Sequence, residues 1–169
     1  MEIRHTPVLV DEVLAALKVR AGGTYIDCTV GEGGHAEAVL KAAEPGPRLL
    51  GIDLDGTALS IAGERLEGYG GRAVLVQGNF ADLEELADQH GFAPADGVLL
   101  DLGLSSLQLE TAERGFSFSR PGRLDMRFDP AQEQSAHRLV NGGTEKQVAG
   151  IIRQFGEEPR ARRIAGGIV

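Results

Sequence analysis

A glycine-rich turn directly after a strand pattern constrains this chain more than any other feature. Residues 24–30 read as a buried strand, and Gly31, Gly33 and Gly34 follow before a helical segment that begins near His35. Glycines leave the backbone bare, so a nucleotide-like ligand can approach both the turn and the unpaired N–H groups of the helix start. The spacing alone is a weak signal and needs support from elsewhere in the chain.

Support comes from an alternation of strand and helix patterns over the first hundred residues. Apolar runs recur at 25–30, 49–52, 73–76 and 98–102. Segments with helical spacing lie between them at 35–43, 56–67 and 82–90. Asp82 and Glu85 form a capping-box pattern, and Thr6 before Pro7 predicts the start of a short leading helix with Val8 and Leu9 on its apolar stripe. The alternation predicts an α/β fold with a parallel sheet.

The sequence pattern changes after the fourth predicted strand. Residues 103–129 mix Gly, Ser, Pro and Arg without a sustained period, which predicts a long functional loop. Helical spacing resumes at 135–140, 145–155 and 158–169, with Thr144 as a cap. We therefore predict a ligand-binding core over residues 1–105, and a loop with the start of a helical, substrate-recognising domain over 106–169.

Composition narrows the class of protein. The chain has 169 residues, 42% of them hydrophobic, enough for one domain with a core or for one domain and the beginning of another. Cys28 is the single cysteine, so an intrachain disulfide is excluded, and the sequence shows no zinc-type Cys/His spacing. We predict no metal site, and the lack of a signal-like or membrane-spanning stretch predicts a cytoplasmic protein.

Charge is divided unevenly along the chain. The formal net charge is −8, but residues 1–113 hold 7 Lys and Arg against 19 Asp and Glu, whereas residues 114–169 hold 10 against 6. The basic second part suits an RNA-facing surface, and a solvated helical surface would give the same count.

Acidic residues at the ends of the strand patterns bear on the identity of the ligand. Asp27, Asp53, Asp55 and Asp101 are expected along one edge of the sheet, where open α/β sheets bind ligands. The turn also satisfies a dinucleotide fingerprint, so an NAD-dependent oxidoreductase is one alternative. A carboxylate four residues before Gly31 favours a cationic ligand over a pyrophosphate, and S-adenosylmethionine carries a sulfonium and an ammonium group beside an adenosine.

Several ordered blocks give the chain a family resemblance. They are His5-Thr6-Pro7-Val8-Leu9, Gly33-Gly34-His35, Gly78-Asn79-Phe80, Leu100-Asp101-Leu102-Gly103 with Ser105-Ser106, Glu113-Arg114-Gly115-Phe116-Ser117-Phe118 and Leu124-Asp125-Met126-Arg127. With these blocks the sequence resembles, almost end to end, the small-subunit ribosomal RNA methyltransferase H family, which methylates N4 of a cytidine. Cys28 departs from a glycine common at that position.

The resemblance implies a site and its partners. It implies a Rossmann-like methyltransferase sheet, S-adenosylmethionine as the cofactor, and small-subunit ribosomal RNA or the small ribosomal subunit as the substrate. Together with the glycine pattern it places the donor at Gly31, Gly33, Gly34, His35, Asp53, Phe80, Asp101 and Gln108. Asp101 is the predicted catalytic residue, which would order the donor's amino group and polarise the target amine.

The loop offers candidates for RNA contact. Phe116 and Phe118 have rings on which a base can stack, and Arg120 and Arg123 carry charges that suit phosphates. A packed lid is the alternative role for this segment.

The resemblance also implies that family members continue well beyond Val169, so this chain would hold the first four strands of an incomplete sheet and part of a helical insertion. An uncovered strand edge predicts a route to a homodimer. A catalytically impaired, donor-binding fragment is therefore a second interpretation of the chain.

Overall fold

The computed structural model describes residues 7–169, and in them four strands form one parallel sheet. The strands are β1 Thr24–Asp27, β2 Arg48–Asp53, β3 Ala73–Gln77 and β4 Gly97–Leu99. Their order is β3-β2-β1-β4, and each neighbouring pair is parallel. The predicted α/β fold is confirmed. The strand order reverses beside β1, which opens a crevice at the carboxyl ends of β1 and β4.

The described residues divide into two compact units, with the division after Ser105. Helices of the first unit are α1 Val10–Leu17, α2 Gly34–Lys41, α3 Gly56–Leu66 and α4 Leu83–His90. Helices of the second unit are α5 Ser106–Glu110, α6 Ala136–Gly142, α7 Glu145–Gly156 and α8 Ala161–Ile168. All helices of the described part are too short or too polar to span a membrane.

The core of the first unit follows from the alternation of side chains along β1 and β2. Tyr25 pairs with Leu49 and packs with residues of α2 and α3 on one face of the sheet. Ile26 pairs with Leu50 and packs with Ala87 of α4 on the other face. Both faces are covered, so the middle positions of the two central strands are apolar on both sides, and each large aliphatic side chain buried there contributes roughly 1.5–3 kcal/mol.

Two predicted boundaries in the first unit are wrong. The strand pattern 25–30 ends as a strand at Asp27, although the N–H groups of Cys28 and Val30 still donate to the Leu99 and Ile52 carbonyls, and β4 ends at Leu99 instead of 102. This places Asp27 at the carboxyl end of its strand and not inside it.

Two predicted helix starts also differ from the structure. Thr6 lies outside the described residues, and α1 begins only at Val10, with Val8 and Leu9 exposed before it. Asp82 makes no side-chain cap for α4; instead the Asn79 carboxamide oxygen accepts the Ala81 N–H at 2.9 Å and caps a short 3-10 turn. The polar residue nearer the strand end therefore takes the capping role.

The second unit is helical around a small apolar cluster. Val148 and Ala149 of α7 and Ala165 of α8 are buried together. Thr144 caps α7 as predicted, and Gln147 completes a capping box with it. The segment 103–129 is not wholly irregular as predicted, since it contains α5 and a 3-10 turn at Ala112–Arg114.

Candidate functional site

The glycine turn after β1 combines an open backbone with close packing. Gly31 and Gly33 have φ of 51° and 80°, a left-handed conformation that glycine adopts without steric cost. Among residues 7–169, a Cβ on Gly31 would meet only the Thr29 carbonyl oxygen, at 3.8 Å, whereas one on Gly33 would lie 3.3 Å from Ala62. Gly31 therefore leaves room for a ligand, and Gly33 is required for the packing of the turn on α3.

Gly34 has a packing role as well, because an added Cβ would lie 3.0 Å from the Pro7 ring. The prediction that all three glycines clear space for a ligand thus applies to Gly31, while Gly33 and Gly34 let the turn approach its neighbours closely.

Asp53 ties the ends of β1 and β2 together. One carboxylate oxygen accepts the Gly31 N–H at 2.8 Å, and the other accepts the Asp55 N–H at 2.9 Å. The cap of α3 is Asp55, whose side chain accepts the Thr57 N–H at 3.0 Å. Asp53 is only partly buried and is not a helix cap, so its remaining lone pairs are available to a diol.

Thr29 connects the acidic ends of β1 and β4. Its N–H donates to the Asp27 carboxylate at 3.1 Å, and its hydroxyl accepts the Asp101 N–H at 2.8 Å. The Asp101 backbone is thereby fixed at the crevice between β1 and β4, although this residue follows β4 in an irregular segment.

Two further predicted residues belong to this edge. His35, in the first turn of α2, places its Nε2 atom 3.6 Å from the Asp101 carboxylate. Phe80, in the 3-10 turn after β3, is 40% exposed. An exposed ring at a sheet edge is free to stack on a flat ligand group.

Burial changes the chemistry of the two residues at the end of β1. Asp27 is 2% exposed, and its desolvation raises the pKa of the carboxyl to about 7, with a further rise from the nearby charges of Asp53 and Asp101. Desolvation likewise raises the pKa of the Cys28 thiol to about 11. Cys28 is therefore a buried thiol and not a nucleophile. Asp27 is likewise buried at the end of β1, so its carboxyl group does not face a ligand directly.

The raised pKa of Asp27 predicts a pH-dependent stability. The folded chain keeps this proton up to about pH 7, whereas the unfolded carboxyl loses it near its ordinary value of 3.8. The free energy of unfolding should therefore fall by roughly 1.4 kcal/mol per pH unit as pH rises between these values, and then level off. Urea unfolding of wild type and Asp27→Asn at pH 5 and pH 8 measures the difference; equal slopes in the two proteins would contradict the assignment.

In the second unit, part of the predicted RNA-contact set is used internally. Phe116 is 8% exposed and packs against Phe128, with ring centroids 5.4 Å apart. Arg114 donates to the carbonyls of Arg127 and Phe128, and Arg120 donates to the Glu110 carbonyl. The prediction that Phe116 stacks on a base is not supported, because its ring is buried within the loop.

The remaining members of that set are at the surface. Phe118 is fully exposed and Arg123 is exposed, so both side chains are accessible in the second unit. Gln108 also belongs to this unit, where it is buried on α5.

Sequence reasoning missed two supporting residues. Thr29, described above, has no pattern of its own that marks it. Arg65 of α3 donates from Nη1 to the Glu32 carbonyl at 3.2 Å, and its Nε lies 3.8 Å from the Glu37 carboxylate. A contact from a helix about thirty residues downstream leaves no local signal in the sequence.

In residues 7–169, no group of three or more His, Cys, Asp or Glu side chains is arranged to hold a metal.

A parallel sheet with this strand order, a glycine turn after β1, carboxylates at the ends of β1 and β2, and Asp101 shortly after β4 define a Rossmann-like α/β domain. The comparison with known families is more specific. The chain belongs to the MraW methylase family, whose model matches residues 2–169.

Curated relatives agree with this assignment. The chain is similar to proteins named ribosomal RNA small subunit methyltransferase H. The one from Symbiobacterium thermophilum is 49% identical over 100% of this chain and 53% of that protein. The one from Syntrophobacter fumaroxidans is 47% identical over 99% and 52%, and the one from Geotalea uraniireducens is 50% identical over 99% and 54%. The chain thus spans about half the length of the curated relatives it matches.

Proposed function

We propose that this chain binds S-adenosylmethionine at the carboxyl edge of its sheet and provides the donor-binding part of a small-subunit ribosomal RNA methyltransferase. The observation that carries the proposal is the collection of carboxylates around an open backbone turn. Asp53 holds the Gly31 turn, and Asp101 is fixed at the neighbouring crevice. Family membership supports the methyltransferase class.

The charge of the edge favours this donor over a dinucleotide. The charges of Asp53 and Asp101 help to raise the pKa of the buried Asp27, so the negative potential of the edge comes from these two more accessible carboxylates. Such a potential attracts the sulfonium and ammonium groups of S-adenosylmethionine and repels a pyrophosphate. The NAD-dependent alternative is therefore disfavoured.

Individual residues fit the parts of the donor. The Asp53 carboxylate would accept the two ribose hydroxyls, and the exposed Phe80 ring would lie against the adenine. Because Gly31 has no Cβ, the donor can come close to the backbone of the turn at this residue. The bound donor supplies an activated methyl group, and the chain's contribution is to hold that group in line with an acceptor nitrogen.

For the acceptor, we propose N4 of a cytidine in small-subunit ribosomal RNA. The donor would give its methyl group to this nitrogen and leave as S-adenosylhomocysteine, and the proton that the amine loses would pass to solvent. Asp101, with a side chain 56% exposed at the crevice, can accept a hydrogen bond from the amine and orient its lone pair.

The predicted cytoplasmic location is consistent with this substrate, and the predicted homodimer remains a prediction.

Methyl transfer to isolated small ribosomal subunits tests the proposed function. Wild-type chain with radiolabelled donor should label the ribosomal RNA at a cytidine, and Asp101→Asn should lower the rate by about 100-fold or more, since a positioned acid–base group contributes roughly 10²- to 10⁴-fold. An Asp101→Asn protein that transfers at the wild-type rate would remove Asp101 from the reaction. Donor binding without any transfer would favour the alternative of a donor-binding fragment.

The exposed ring of Phe118 predicts an RNA contact in the second unit. Phe118→Ala should weaken binding of a single-stranded cytidine-containing RNA by roughly 5- to 150-fold, because stacking of a base on an aromatic ring contributes about 1–3 kcal/mol. Phe155→Ala is the matched control, since Phe155 is also exposed but lies on α7. Fluorescence anisotropy measures both; equal losses for the two variants would contradict a specific role for Phe118.

A further inference from the structure

His35 is the one predicted donor-binding residue whose side chain has an unexplained arrangement. Its imidazole is buried, with 9% of the side chain exposed, in the first turn of α2. Nε2 lies 3.6 Å from Oδ2 of Asp101, while Nδ1 is buried and has no hydrogen-bond partner among the described residues. Within residues 7–169, the polar contact of this imidazole is therefore the one with the proposed catalytic carboxylate.

The tautomer follows from this geometry. A ring with its proton on Nε2 presents an N–H to the carboxylate, whereas the other tautomer would set a nitrogen lone pair against it. The favourable tautomer leaves the buried Nδ1 lone pair without a donor, which is an unfavourable state for a polar atom. An apolar side chain would fill the same space without that cost, so packing alone does not account for a histidine here.

Asp101 needs such a contact because only its backbone is otherwise fixed. Its N–H donates to the Thr29 hydroxyl at 2.8 Å, but its side chain is 56% exposed. An exposed carboxylate samples several rotamers. The Nε2–H of His35, 3.6 Å from Oδ2, favours those rotamers that keep this oxygen near the imidazole.

We propose that His35 is a positioning residue that acts through Asp101: its Nε2–H, 3.6 Å from Oδ2, attracts that oxygen electrostatically and so favours the carboxylate orientation in which Oδ1 faces the ammonium end of the bound donor. The inference rests on the proposed function. It assigns to the imidazole a role distinct from backbone contact in the glycine turn, and it predicts that His35 affects only ligands that reach Asp101.

Two adenosine ligands separate this role from a structural one. S-adenosylhomocysteine carries the ammonium group, whereas 5′-methylthioadenosine lacks the whole amino-acid end. By calorimetry, His35→Met should bind S-adenosylhomocysteine roughly two- to fivefold more weakly than wild type, the loss expected for one partly exposed electrostatic contact, and should bind 5′-methylthioadenosine as wild type does. His35→Gln, of similar size but with an N–H donor, should recover most of the loss.

A double-mutant cycle with Asp101→Asn tests whether the effect passes through Asp101. In the Asp101→Asn background, His35→Met should cause no further loss of S-adenosylhomocysteine affinity. Thermal unfolding checks that each variant folds. Equal weakening for both ligands, no recovery with glutamine, or additive losses would overturn the positioning role while leaving donor binding intact. Absence of S-adenosylhomocysteine binding by wild type would instead overturn the proposed function, and this inference with it.

Discussion

Asp53→Asn is expected to lower the affinity for S-adenosylmethionine by at least about 100-fold. The carboxylate accepts the Gly31 N–H at 2.8 Å and the Asp55 N–H at 2.9 Å, and we propose that it also accepts the ribose hydroxyls. An asparagine has one acceptor oxygen, so its NH₂ group would face one of these donors. Losing two hydrogen bonds to a charged group, each contributing roughly 1.5–3 kcal/mol, accounts for the expected change.

Asp88→Asn is the matched control for this prediction. It removes the same charge from an exposed position on α4, away from the ends of β1 and β2. Calorimetry should show wild-type affinity for the control, and circular dichroism should show that both variants fold. Similar donor affinity in Asp53→Asn and wild type would exclude Asp53 from the ribose site.

The second large effect is expected from Gly33→Ala. The residue has a φ of 80°, which costs a non-glycine residue roughly 1–2 kcal/mol, and the new Cβ would lie 3.3 Å from the Cα and Cβ atoms of Ala62. Together these should lower the free energy of unfolding by roughly 2–3 kcal/mol. Because the turn carries Gly31, donor affinity should fall as well.

Gly68→Ala provides the comparison for that variant. Gly68 has no left-handed φ, and an added Cβ would meet nothing within 4 Å. Its unfolding free energy should stay within about 0.5 kcal/mol of wild type in urea titrations. If both alanine variants unfolded alike, the close approach of the turn to α3 would not be a determinant of stability.

The sequence predicted the parallel sheet well because the determinants are local. Apolar runs and intervening helical periods reflect burial on both faces of the sheet, which Tyr25 and Ile26 show directly. The placement of Asp53 and Asp101 at one edge follows from parallel strands, whose carboxyl ends all meet there.

Long-range contacts could not be predicted in this way. The hydroxyl of Thr29 reaches Asp101, 72 residues away, and Arg65 supports a turn 33 residues before it. In the loop, Phe116 and Phe118 are both phenylalanines next to Ser117, yet Phe116 is buried and Phe118 is exposed. Which ring packs inward depends on the position of Phe128, and no periodicity in this segment encodes that.

Calorimetric titration of the chain with S-adenosylmethionine and, separately, with NAD tests the central claim most directly. The account predicts saturable binding of S-adenosylmethionine at one site, loss of that binding in Asp53→Asn, and no binding of NAD. Absence of heat with S-adenosylmethionine, or binding that Asp53→Asn leaves unchanged, would contradict a donor site at the carboxyl edge of this sheet.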